Sequence, residues 1–164
     1  MKGFFTQTLM ICLVILMAAY SLLYYQNSRI PELGHTDGHL TALPPSPNAV
    51  SSQTENPSKQ VEPLPFKNNL AETLQALLKA INHYGGVEIV LLQQDYIRVV
   101  FITPLMGFRD DAEFYLDREK RLVHFRSASR SGYSDMGLNQ ERYQQLATYY
   151  QSIEAKQTKS QAQN

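Results

Sequence analysis

A single cysteine, a net charge of zero and the lack of any nucleophile-elbow motif set the first limits on this 164-residue chain. Cys12 alone can form no intramolecular disulfide and no thiolate metal site. Fifteen basic residues balance fifteen acidic ones, with no basic helix and no arginine-rich arm, so the electrostatic footprint of a nucleic-acid binder is missing. No G-x-S-x-G pattern is present, which removes the strand-turn-helix serine of the α/β-hydrolases. Leu9-Met10-Ile11-Cys12 is no lipoprotein cleavage site, because the small residue wanted before the cysteine is absent and the apolar run continues past it.

Hydrophobic residues make up 43% of the chain, a globular value, but the first 25 positions hold a large share of them. From Phe4 to Tyr25 only Thr6, Gln7, Thr8 and Ser21 are polar, and none is charged. As a helix this segment is about 33 Å long, against a hydrocarbon core of about 30 Å. Tyr20, Tyr24 and Tyr25 suit an interfacial belt. Lys2 on the leading side favours a cytoplasmic amino terminus. The competing expectation is a cleaved signal peptide, with Ala18, Ala19 and Ser21 near the cut; Leu22 to Tyr25 extend the apolar run beyond it and favour a retained anchor. In a bacterium either form carries the remainder across the inner membrane into the periplasm.

The expected domains are an anchor over 1–26, a Pro/Ser/Asn-rich linker over 27–62, a folded α+β domain over 63–154 and a disordered tail over 155–164. The linker composition offers too little apolar surface to offset chain entropy. His35, Asp37 and His39 within it invite a metal reading, which two histidines in a flexible segment do not sustain; neither metal nor cofactor is expected. Asn69 and Glu72 form a capping-box pattern ahead of a helix carrying Leu70, Leu74, Leu77, Leu78 and Ile81 on one face, ended by Gly85-Gly86. Strands follow at 87–92, 96–103, 111–117 and 122–128. Asn139 caps a last helix from Gln140 to about Glu154, whose buried stripe is Tyr143, Leu146, Ala147, Tyr150 and Ile153. The expected fold is therefore α+β: a small antiparallel sheet of about four strands with two flanking helices, preceded by a single transmembrane helix, one sheet face covered and the other partly wet.

The densest chemistry lies between Phe125 and Arg142, F-R-S-A-S-R-S-G-Y-S-D-M-G-L-N-Q-E-R. A two-residue turn after the third strand sets Asp111 opposite Arg126; a four-residue turn sets Glu113 there. Both put a carboxylate beside Arg126 on the outer face, because cross-strand neighbours share a face. Ser127 and Ser129 point inward and need partners, for which Tyr133, Asp135 and Asn139 are nearest in sequence. Asp110, Asp111, Arg126, Ser127, Ser129, Arg130, Tyr133, Ser134, Asp135 and Asn139 thus form one expected polar corner. It reads either as an ion-pair network around a tight turn or as an anion site built on Arg126, Arg130 and the glycine-flanked backbone. A hydrolase with Ser129 or Ser134 as nucleophile, His124 as base and Asp135 as orienter is the alternative.

The same residues carry a resemblance. F-R-S-A-S-R-S-G-Y-S-D-M-G-L-N-Q-E-R, with G-F-R-D-D-A-E-F before it and S-P-N-A-V-S-S at Ser46 to Ser52, resembles the uncharacterised family called domain of unknown function 1499, over about Leu43 to Tyr150. The resemblance implies that 43–52 docks on the domain. It also implies that the cysteines usual in the family are replaced here by Leu43 and Ala49. It is to bacterial envelope and plastid proteins and brings no established activity. The resulting expectation is a membrane-anchored envelope protein, held by residues 4–25, that binds a protein partner or an anionic small molecule and no nucleic acid.

Overall fold

The computed structural model describes residues 2–161. The first helix, α1 (Lys2–Ser28), is long and apolar enough to cross a membrane, and its described side chains are exposed along nearly the whole length. Two short strands follow, β1 (His35–Thr36) and β2 (His39–Leu40), joined by Asp37-Gly38 with both residues at positive φ. This is the two-residue Asp-Gly hairpin signal, which went unread in the sequence. Then come β3 (Ala49–Ser51), β4 (Leu64–Pro65), helix α2 (Leu70–Tyr84), β5 (Val87–Leu92), β6 (Tyr96–Ile102), β7 (Arg109–Asp117), β8 (Leu122–Ser129) and helix α3 (Leu138–Gln161).

The α+β class holds, but the sheet has six strands rather than four. Its order is β3-β8-β7-β6-β5, with β4 also paired to β8, and every pairing is antiparallel. The extra strands β3 and β4 are three and two residues long, too short to show an alternating pattern. Alternation on β7 orders both layers. Ala112, Phe114 and Leu116 face α2 and α3 and are buried, in a core shared with Leu77, Ile81, Phe125, Leu146 and Tyr150. Each fully buried large side chain contributes roughly 1.5–3 kcal/mol, so this face carries most of the folding free energy.

Local chemistry starts α2 as expected: the Asn69 side chain accepts from the Glu72 backbone N–H at 2.9 Å, and Gly85 at φ 80° ends the helix. The start of α3 departs from expectation. Asp135, not Asn139, is the capping side chain, accepting from the backbone N–H of Gly137 at 3.1 Å and of Asn139 at 2.8 Å. The chain turns through Met136 and Gly137, both at positive φ, which moves the first helical residue back to Leu138 and leaves Asn139 inside the helix, free to face the core. Helix α3 also continues to Gln161, beyond the boundary set at 154; residues 162–164 lie outside the described ones.

The larger correction concerns 27–62. This segment packs along the outer sheet face and covers it over β6, β7 and β8, while β5 stays exposed. A proline-rich chain makes few backbone bonds of its own, and here side chains supply the donors, Lys59 and Gln53 from the segment itself and Arg98 and Arg126 from the sheet. Lys59 Nζ donates to the carbonyls of Pro44, Pro45 and Ser46 at 2.7, 3.1 and 2.6 Å. Gln53 accepts from Leu40 N–H at 2.8 Å and donates to Gly38 O at 2.7 Å, pinning the β1–β2 hairpin. The His35 ring stacks on Tyr115 with centroids 4.3 Å apart. Docking of 43–52 is seen directly, since β3 pairs Ala49 with Ala128 and Ser51 with Arg126.

Candidate functional site

Adjacent residues of a strand face opposite ways, so Asp110 and Asp111 lead into two separate polar networks rather than one corner. On the helix face, Asp110 Oδ2 accepts from Arg142 Nη2 at 2.6 Å, and both side chains are 2% exposed. Arg142 Nη1 donates to Asn139 Oδ1 at 2.8 Å, and its guanidinium lies 4.6 Å from the Phe101 ring centroid. Asn139 Oδ1 also accepts from the Ser127 hydroxyl. Asn139 Nδ2 donates to Asn48 O and Ser129 Oγ at 3.1 Å and to Asp135 Oδ2 at 2.8 Å. One amide thus ties α3, β8, the cap and the chain before β3. Ser127, Ser129, Asp135 and Asn139 do come together as expected.

On the outer face, the four-residue turn sets Glu113 opposite Arg126, with Arg126 Nη1 3.2 Å from Glu113 Oε2. Arg126 Nε donates to Thr41 O at 2.8 Å. Asp111 is held from two sides: Arg130 contacts it through Nε at 2.6 Å and Nη2 at 3.0 Å, and Arg98 Nη2 at 2.8 Å. Arg98 Nη2 reaches Pro31 O as well, at 3.1 Å. Arg126 and Asp111 belong to this network and Asp110 to the other, so the single ion-pair network expected for the corner is divided in two. Tyr133 is exposed in the loop, and Ser134 only accepts from Met136 N–H, so neither joins a network.

Arg142, Arg98, Asn48 and Tyr96 were missed in the sequence. Arg142 had a legible signal: it sits one turn before Leu146, inside the apolar stripe of α3, where a lone cation demands a buried partner. Arg98 and Tyr96 share the polar side of β6 and could have been set against β7 by the same alternation.

Three arginines, Arg98, Arg126 and Arg130, stand against two carboxylates, Asp111 and Glu113, a surplus of one positive charge (3 − 2 = 1). Burial raises the Glu113 carboxyl above its ordinary value, with the Tyr96 hydroxyl and Arg126 partly offsetting it. Tyr96 donates to Glu113 Oε1 at 2.6 Å, and burial followed by this bond pushes its own phenol upward. Glu113 therefore binds its proton more tightly folded than unfolded. Its contribution is full below the ordinary carboxylate value and is lost as pH rises through the folded one. Relative to Glu113→Gln, the wild-type chain is expected to lose stability as pH climbs above about 4.5. Urea unfolding of both proteins across pH checks this, and a constant difference between them would rule Glu113 out as the source.

Arg126 and Arg130 line a cleft of about 780 Å³. Gln26, Arg29 and Ile30, at and just after the end of α1, line the same cleft. Arg126 is 5% exposed and fully engaged: its buried Nη1 faces Glu113, Nε donates to Thr41 O, and Nη2 donates to Ala42 O at 3.4 Å. The bonds of Arg130 to Asp111 use Nε and Nη2 and leave its Nη1 unengaged.

The hydrolase set is not assembled. Side chains at 124 and 129 lie on opposite faces of β8, roughly 16 Å apart along the strand. His124 sits between Ser52 Oγ at 3.3 Å and Asp117 Oδ2 at 3.8 Å, and burial lowers its pKa. Ser52 Oγ accepts from the Phe125 backbone N–H at 2.9 Å, so it staples the end of β3 to β8.

The segments that build these two networks are also those that define a family. The sequence pattern described as a protein of unknown function, DUF1499, matches residues 39–149. The chain belongs to the DUF1499 family. No curated protein and no solved structure matches the chain. In this DUF1499 member the family unit starts at β2 and ends within α3; it takes in both networks and leaves α1 outside. Of the two positions where the resemblance implied cysteines, Leu43 lines the cleft and Ala49 is buried against β8.

Proposed function

We propose that this protein is a non-catalytic, membrane-anchored domain of the cell envelope whose cleft holds the anionic group of a ligand. In this reading α1 spans the inner membrane with its amino terminus in the cytoplasm, and the α+β domain lies in the periplasm. The observation that supports it is the cleft lining: Arg130 carries an Nη1 that its bonds to Asp111 do not use, in a network with surplus positive charge. Guanidinium groups with spare N–H donors recognise phosphate and carboxylate through charge-assisted bonds. Two networks divide the labour: the Asp110–Arg142–Asn139 side holds the fold, and the Arg126–Arg130 side faces the cleft.

The test is titration of the full-length chain in detergent with inorganic phosphate, following the side-chain Nε–Hε NMR signals of Arg126 and Arg130. A saturable shift is expected, weakened about tenfold or more in Arg130→Gln, the loss of one charge-assisted bond being worth about 1.5–3 kcal/mol. Arg98 keeps Asp111 paired in that variant, so the fold is expected to survive. Absence of any shift in a folded protein would make the network purely structural.

A further inference from the structure

The cleft sits where a lipid headgroup would lie, and this deepens the anion reading on which it rests. The membrane-length part of α1, Thr6–Ser28, has 23 residues. At 1.5 Å per residue that is about 34 Å, against about 30 Å of hydrocarbon, so the last turn ends among the headgroups. The cation–π contact of Arg29 over Tyr25, 5.9 Å to the centroid, is the kind of pair suited to that depth.

The domain is fastened at this level. Asn27 Nδ2 donates to Gly107 O at 2.8 Å, and its Oδ1 accepts from Arg109 N–H at 2.8 Å. The loop before β7 is thereby held against the helix end. At its tip Leu105 is 93% exposed and Met106 57%, while Ile30, next to the helix, is 72% exposed. Apolar side chains held beside a membrane-length helix gain by entering the interface. Gln26, Arg29 and Ile30 line the cleft together with Arg126 and Arg130, so its mouth opens within one or two residues of the same level.

We infer that the occupant of the cleft is the headgroup of an anionic phospholipid from the leaflet into which α1 emerges. Its phosphate meets the unengaged Nη1 of Arg130 in the cleft that Arg29 and Arg126 also line, and its acyl chains lie beside Leu105, Met106 and the end of α1. The headgroup must carry net negative charge, because the arginines lining the cleft, Arg29, Arg126 and Arg130, outnumber its carboxylates, Glu32 and Asp111 (3 − 2 = 1).

The test places the full-length chain in nanodiscs of phosphatidylcholine containing a minority of phosphatidylglycerol. Lipids retained on the protein are counted by native mass spectrometry. Phosphatidylglycerol is expected to be enriched about fivefold over the bilayer, the preference one extra basic charge provides at an anionic surface. Arg130→Lys keeps the enrichment and Arg130→Gln abolishes it, with circular dichroism confirming that both fold. Because the chain has no tryptophan, Leu105→Trp introduces the sole indole, and brominated acyl chains are expected to quench it. Enrichment that persists in Arg130→Gln, or an unquenched indole, overturns the inference. Phosphate shifts at Arg130 without phosphatidylglycerol enrichment also overturn it while leaving the anion reading intact. Failure of both phosphate and lipid removes the two together.

Discussion

Asp110→Ala is expected to lower the unfolding free energy by about 3–5 kcal/mol, the cost of leaving a buried cation without its partner. Arg142 has nowhere to move. It is 2% exposed, its Nε already lacks a partner, and the rings of Phe101 and Tyr84 flank its guanidinium. Asn139 Oδ1 remains as an acceptor, but a neutral amide does not replace a carboxylate. The loss is measured by denaturant unfolding of the detergent-solubilised chain. The double variant Asp110→Leu with Arg142→Met is expected to recover most of it, since apolar side chains of similar volume often match a buried ion pair. A single-variant loss below about 1 kcal/mol would mean that water reaches Arg142 and that the pair behaves like a surface one.

Asn139→Ala is expected to cost about 3 kcal/mol or more, although an asparagine near a helix start is ordinarily worth little beyond its cap. The substitution strands the Ser127 hydroxyl and Arg142 Nη1, both near a dry core, and removes one of the two donors to the Asn48 carbonyl, which keeps the Ser129 N–H. Each buried group left unsatisfied costs roughly 1–3 kcal/mol. Asp135→Ala is the informative comparison. It removes the capping acceptor at the exposed end of the helix, worth about 1 kcal/mol. If the two variants were equally mild, Asn139 would be acting as a cap after all. Asn139→Asp separates acceptor from donor: the Ser127 and Arg142 contacts persist, while the bonds from Nδ2 to Asn48, Ser129 and Asp135 are lost.

Local pattern made much of this legible. Alternation along 111–117 assigned Ala112, Phe114 and Leu116 to the core and Asp111 and Glu113 to the other face. The same period-two rule sent Ser127 and Ser129 inward and Arg126 outward, and the structure agrees at each position. The helical stripes on α2 and α3 were equally readable; Leu70, Leu74 and Leu78 prove to be the flank of the first stripe, while Ala76 and Ala80 join its buried centre. Segment 27–62 misled because its composition is that of a linker, and composition counts apolar surface. What orders it is side-chain donors, its own Lys59 and Gln53 and the sheet's Arg98 and Arg126, meeting carbonyls that a proline-rich chain presents unpaired. The outer face was read as partly wet: it is covered over β6, β7 and β8 and stays exposed along β5.

The sequence by itself determined the apolar helix of membrane-spanning length, the α+β class, the four longer strands, the faces of the strands and the concentration of chemistry between Phe125 and Arg142. These follow from periodicities of 2 and 3.6 residues, which need only near neighbours. Only the tertiary structure decided which arginine meets which carboxylate, that Asn139 is a buried hub instead of a cap, and that the cleft opens beside the end of α1. Arg126 and Thr41 are 85 residues apart, and Asn139 and Asn48 are 91. No local period carries information over such separations; the partners are selected by the sheet register and by the chain that folds back across it.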